Sequence, residues 1–229
     1  MHTFNTFASK QELDTSFATT VANLLKKAVE EKGKASIAVS GGSTPKGFFN
    51  ALSQTDIDWS KVTVTLADER WVPQVDEASN SKLVKENLLV NNAAAAGFFE
   101  IQRDGELSQN LLNSMCLEAE EVLPLDVLIL GMGGDGHTAS LFPCSSQLED
   151  ALSPEAPALM KTVPTTAPHE RITFSFPALA KSKNTFLHIV GESKKSVLED
   201  ALSSQDVSQM PIRAFLQDDA NQVSIFWAE

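Results

Sequence analysis

His137 stands directly after the last glycine of LILGMGGDGHTASLF, the stretch from Leu128 to Phe142. A neutral imidazole is a good general base near neutral pH. Asp135, two positions earlier, can orient it. The same stretch also carries Gly131, Gly133 and Gly136 in the spacing G-x-G-x-x-G of a dinucleotide-binding loop. Two chemistries therefore compete for it, proton transfer and phosphate cradling. A nucleotide fingerprint needs an acidic residue about 20 positions on, at a strand end. Glu149 and Asp150 lie near that distance, but QLEDALSPEAP does not read as a strand end.

Further positions suit an anionic ligand. Ser40-Gly41-Gly42-Ser43-Thr44 is a glycine turn whose amides and hydroxyls can converge on a phosphate. A capped strand-to-helix turn explains it equally well. Asp68-Glu69-Arg70 falls where a strand should end, which is where open α/β sheets hold their ligands. Asp68 can exchange a proton or accept a substrate hydroxyl, and Arg70 can hold a phosphate or polarise a carbonyl. Taken alone, the tripeptide is better explained as a surface ion pair. Lys194 and Lys195 stand at a helix start, against the macrodipole, which favours an anionic ligand there. Arg171 precedes a strand, and Arg213 in PIRAF is a weaker candidate. His2, His169 and His188 read as ordinary residues, His2 near a mobile end and His188 within a strand. No H-x-x-x-H, H-E-x-x-H or paired Cys/His set suggests a metal. No G-x-S-x-G suggests a serine hydrolase.

These residues need elements to position them. Phe17, Val21, Leu24, Leu25 and Ala28 have helical spacing, with Asp14 or Thr15 as N-cap and an end near Gly33. A strand over Ser36–Ser40 follows. Thr44 and Pro45 then open a helix that turns Phe48, Phe49 and Leu52 to the core. Val62–Ala67 reads as a strand, Ser81–Val90 and Leu107–Val122 as helices, and Asp126–Leu130 as a strand buried on both faces. A glycine turn and helix start are expected over Gly131–Phe142. Ser145–Pro168 reads as loop with at most a helical turn. Strands Ile172–Phe176, Thr185–Val190 and Val223–Trp227 alternate with helices Ser193–Leu202 and Ile212–Leu216. The alternation predicts an α/β fold with a mainly parallel sheet, and one domain over 1–229.

The 229 residues are 42% hydrophobic and 21% charged, enough for a real core. A net charge of -12 argues against nucleic acid or an acidic membrane as partner. No segment approaches the ~18 apolar residues of a membrane span, and the N-terminus is not a signal peptide. Cys116 and Cys144 read as reduced thiols of a cytoplasmic protein.

Taken in order, the blocks VSGGSTP (39–45), DERWVP (68–73), Ser79-Asn80 before a helix, GMGGDGHTASLFP (131–143), ERITFSFPAL (170–179), GESK (191–194) and MPIRAFL (210–216) resemble the bacterial 6-phosphogluconolactonases. These share a superfamily with the glucosamine-6-phosphate deaminases. The resemblance runs from near Ser36 to the C-terminus. It implies a three-layer, modified Rossmann-like domain that binds a sugar phosphate. It further implies that Gly41, Gly42, Ser43, Thr44 and Lys194 hold the phosphate with Arg171 nearby. His137 is then the catalytic residue, with Asp68 and Arg70 in the site. One position separates the branches. The deaminases read H-x-A-F-N-E-P, with a glutamate that relays protons, whereas Phe142 stands at that place here. One departure from the usual lactonase pattern is Gly134, beside Asp135.

The expected reaction is hydrolysis of 6-phospho-D-glucono-1,5-lactone, with His137 as base, oriented by Asp135, and no metal or organic cofactor. The alternatives are an amino-sugar-phosphate deaminase or isomerase, a non-catalytic sugar-phosphate sensor, and a plain nucleotide-binding domain. A monomer or small homo-oligomer is expected.

Overall fold

The computed structural model describes residues 2–229. Its centre is a seven-stranded parallel sheet. In chain order the strands are β1 (His2–Phe7), β2 (Ala35–Val39), β3 (Val62–Leu66), β5 (Gly97–Phe99), β6 (Val127–Leu130), β9 (Thr185–Val190) and β10 (Val223–Ala228). In space they run β1-β10-β9-β6-β2-β3-β5. Every residue of β2 and β6 is buried, as their continuous apolar runs require of strands covered on both faces. A smaller antiparallel sheet orders β4 (Asp68–Arg70), β8 (Arg171–Phe174) and β7 (Leu159–Thr162).

Helices flank the large sheet in a three-layer, Rossmann-like arrangement. They are α1 (Lys10–Lys32), α2 (Lys46–Ser53), α3 (Asn80–Asn87), α4 (Gln109–Glu118), α5 (Leu148–Leu152), α6 (Phe176–Ala180), α7 (Glu192–Leu202) and α8 (Ile212–Leu216). α1 packs on β2, β6 and β10 and against α2. At that junction Phe17 stacks on Phe48 at 4.5 Å and lies 4.6 Å from Phe226. Each such buried aromatic contributes roughly 1.5–3 kcal/mol through the water it sheds.

Strand order places the crevice. From β2 the chain moves outward to β3 and β5, returns to β6 on the other side of β2, and moves outward again through β9 and β10. The connections after β2 and β6 thus diverge, and the gap between them opens beyond the strands' carboxyl ends. Both glycine turns leave the sheet there.

Several boundaries differ from the sequence expectation. α1 begins four residues before Asp14. Ser9 is its N-cap and accepts from the Glu12 amide at 3.2 Å. Asp14 is instead a buried residue inside the helix, paired with Lys10 at 2.6 Å. His2 is not at a loose end, since β1 pairs with β10 from His2 opposite Val223. Thr44 does not cap α2, and Pro45 is the cap residue rather than the first helical one. Arg171 is the first residue of β8 and does not precede it. Ser175 ends that strand by becoming the cap of α6. Ser145–Pro168 is not loop throughout, because it holds α5 and β7. No helix starts within Gly131–Phe142. The chain there makes tight turns closed by a Thr138–Leu141 bridge, and the next helix is α5.

Candidate active site

Ser40 couples the two turns. Its hydroxyl donates to the Ile129 carbonyl at 3.0 Å and accepts from the Gly131 amide at 3.2 Å. The first turn is then shaped by Gly42, whose φ of 97° is the left-handed region open to glycine. In the second turn the Gly133 amide donates to the His137 carbonyl at 2.8 Å, and the Thr138 hydroxyl to the Gly131 carbonyl at 2.8 Å. Ala139 holds a φ of 47°, an uncommon value for a residue with a Cβ.

This loop presents His137. Its Nδ1 lies 2.5 Å from Asp135 Oδ1, which also accepts from the His137 amide at 3.1 Å. One ring face stacks on Phe142, centroids 4.0 Å apart. A Cβ added at Gly133 would overlap the imidazole, so only glycine leaves room for it. Gly134 has open space around it, and Asp135 beside it meets His137. Partial burial pushes the Asp135 carboxyl up, but the His137 charge and hydrogen bonds outweigh it, and the net direction is down.

Asp68 and the arginines come from the small sheet. Arg70 and Arg171 are register partners across β4 and β8. Like charges placed so are unfavourable without an anion between or beside them. Asp68 supplies part of the compensation, 3.9 Å from the Arg171 guanidinium. Burial pushes Arg171 below its ordinary value, Asp68 pulls it back up, and Arg70 adds to the lowering. An arginine does not deprotonate in a protein, so Arg171 stays charged. Its Nε is buried without a partner. Arg70 donates to the Ala78 carbonyl at 2.6 Å and Arg171 to Pro168 at 3.2 Å, which fixes their direction. From α7, Lys194 donates to the Met132 carbonyl at 2.7 Å.

A cavity of about 280 Å³ opens at the switch point. Gly41, Gly42, Ser43 and Thr44 line it on one side, and Asp68, Arg70, His137, Arg171 and Lys194 on the others. Asp135 is not in its wall but reaches it through His137. Lys195 and Arg213 are elsewhere. Lys195 sits 4.8 Å over the Trp227 ring. Arg213 donates to the carbonyls of Ala201, Asp200 and Asp206.

Four residues of this region carried no functional expectation. Ser140 donates to Asp68 Oδ2 at 2.5 Å. Fully buried Glu69 accepts from the amides of Arg70, Asn80 and Ser81 and from the Ser79 hydroxyl. Burial pushes its carboxyl up while those amides pull it down, and the net direction is up. Asn80 donates to the Asp68 carbonyl at 3.0 Å. His188 lines the cavity from β9, and burial with the nearby Lys10 charge lowers it to about 3. Only the Ser79-Asn80 helix start carried a signal, that of an N-cap.

The fold is thus an α/β protein with a cationic cavity at the switch point of a parallel sheet and a carboxylate-paired histidine in its wall. The chain belongs to the glucosamine-6-phosphate isomerase/6-phosphogluconolactonase family, whose model matches residues 8–227. A 6-phosphogluconolactonase of Rhizobium meliloti is 44% identical over 97% of both chains. One from Neisseria meningitidis is 42% identical over the full length of both. The crystal structure of a 6-phosphogluconolactonase from Shewanella baltica superposes with a TM-score of 0.97, at 45% identity, covering 100% of this chain and 98% of that one. Among the described residues no helix is long and apolar enough to cross a membrane.

Proposed function

We propose that this chain hydrolyses 6-phospho-D-glucono-1,5-lactone to 6-phospho-D-gluconate, the second step of the oxidative pentose phosphate pathway. The observation that carries it is the fixed Asp135–His137 pair facing a cavity ringed by Arg70, Arg171 and Lys194. The names and coverage of the relatives support the substrate.

Asp135 engages Nδ1, so the tautomer that satisfies it carries the proton there and leaves Nε2 bare. Nε2 takes a proton from water as the water oxygen bonds to the lactone carbonyl carbon. The carbonyl pair moves onto oxygen, where Arg70 and backbone N–H groups meet the charge. Collapse breaks the bond to the ring oxygen, which takes the proton from the imidazolium. The product acid then ionises. Gly41–Thr44 and Lys194 hold the phosphate, so remote binding energy positions the reacting carbon. The steps call for no metal or organic cofactor.

A deaminase needs a proton relay where Phe142 stands. A phenyl ring packed on His137 cannot carry one. We also propose a single domain over residues 1–229, supported by one continuous core cluster from Leu13 to Ala228. The protein is proposed as a cytoplasmic monomer or small homo-oligomer, the compartment supported by its two free cysteines. The test is a coupled assay. Lactone generated from glucose 6-phosphate is followed against its spontaneous hydrolysis. Acceleration by the protein is expected, and an unchanged decay rate would overturn the proposal.

A further inference from the structure

Asn80 sits where the two halves of the cavity meet. Its Nδ2 donates to the Asp68 carbonyl, which fixes which end of the amide faces which way. Its Oδ1 therefore points at Gly41, where an added Cβ would overlap it. Asn80 lines the cavity and is only 3% exposed. Among the described residues no protein donor reaches this oxygen. The oxygen is not sealed in the core, so it is open to a donor that enters the cavity.

The chemistry of the donor can be narrowed. A carbonyl oxygen repels a phosphate, so the anion held by the neighbouring turn is not its partner. Of the other polar groups of a phosphorylated sugar lactone, the carbonyl and ring oxygens only accept, which leaves the ring hydroxyls as donors. Asn80 also has a dedicated support. Its backbone amide donates to Glu69 Oε1 at 2.8 Å, and the Ser81 amide to Glu69 Oε2 at 2.6 Å. The Ser79 hydroxyl donates to the same carboxylate at 3.1 Å. A buried carboxylate thus clamps the start of α3, and through it the angle at which Asn80 enters the cavity.

We propose that Asn80 contacts the substrate by accepting a hydrogen bond from a ring hydroxyl of the lactone, and that Glu69 is the positioning residue that holds it there. This rests on the sugar-phosphate lactone as substrate. It adds to that assignment a contact that recognises the sugar and not the phosphate.

The experiment compares wild type, Asn80→Ala and Glu69→Gln by calorimetric titration with 6-phosphogluconate and, separately, with inorganic phosphate. Lactone kinetics and circular dichroism accompany the titrations. A neutral hydrogen bond predicts about a 2- to 13-fold weaker 6-phosphogluconate affinity in Asn80→Ala. KM should rise by a similar factor and kcat change less, with phosphate affinity as in wild type. Glu69→Gln replaces one acceptor oxygen with an NH2, so at least one of the Arg70, Asn80 and Ser81 amides loses its partner. It should show the same sugar-selective loss with lower thermal stability. A folded Asn80→Ala that binds 6-phosphogluconate like wild type overturns the proposal. So does an equal loss of phosphate affinity, which would make Asn80 a brace for the glycine turn. A wild type that binds 6-phosphogluconate without hydrolysing the lactone overturns the enzymatic function instead, and leaves the Asn80 comparison intact.

Discussion

The imidazole of His137 is constrained by Asp135 at one nitrogen, by Phe142 across a face and by the bare Cα of Gly133 at an edge. Only Nε2 is left for chemistry. General-base assistance is typically worth about 100- to 10,000-fold in rate. His137→Ala should therefore lower kcat by that order while circular dichroism stays that of wild type. A folded variant with undiminished lactonase turnover removes His137 from the mechanism. His188 makes a different prediction. Burial lowers it from 6.5 to about 3, so in acid the unfolded chain binds a proton that the folded chain refuses. Stability is then fully present above about pH 6.5 and falls as pH drops toward 3. The slope for one proton is about 1.4 kcal/mol per pH unit. Denaturant titrations of wild type and His188→Gln between these pH values should differ by this slope. Parallel curves would show that His188 is not the group responsible.

At the scale of elements, α7 brings Lys194 to the cavity across from the turn that follows β2. A charged hydrogen bond is worth about 1.5–3 kcal/mol, so Lys194→Ala should raise KM by about 10- to 150-fold. A contact made in both ground and transition states leaves kcat nearly untouched. Unchanged KM for the phosphorylated lactone would take Lys194 out of the phosphate site. Much of this layer was legible. The apolar run DVLIL, set between Pro124 and the glycine turn at Gly131, reads as a central strand. The glycine turns after Val39 and Leu130 marked both sides of the crevice. Other parts were hidden for physical reasons. HTFNTF is a short polar run that becomes β1 only because β10 offers it an edge. LMKT in β7 depends likewise on β8. Glu69 looks like half of a surface ion pair in Asp-Glu-Arg, yet its partners are amides 11 and 12 positions away at Asn80 and Ser81. The absent helix after His137 had the right glycines and polar residues. Its amides turn back within the loop instead, as Gly133 does to His137.

For the whole molecule, a net charge of -12 sets a repulsive background for any anionic ligand, and the arginine–lysine cluster reverses its sign locally. Binding should therefore be selective for a ligand that fits the cluster. At 100 times Kd, 6-phosphogluconate should stabilise the fold by about 2.7 kcal/mol. For a chain of this size that is a rise in Tm of roughly 5–11 °C. NAD(P) should give no shift, and a comparable one would restore the dinucleotide alternative. The edge strand carries a last consequence. β1 has one sheet neighbour, β10, and their paired side chains Thr3 and Ser224 are 221 positions apart. On the ribosome β1 emerges long before β10, its one sheet neighbour among the described residues. The nascent chain must carry HTFNTF unpaired until β10 has been made. Chains stalled before Val223 should be cut by protease near residues 2–7 and released full-length chains protected. Equal protection in both would mean that β1 finds its place without β10.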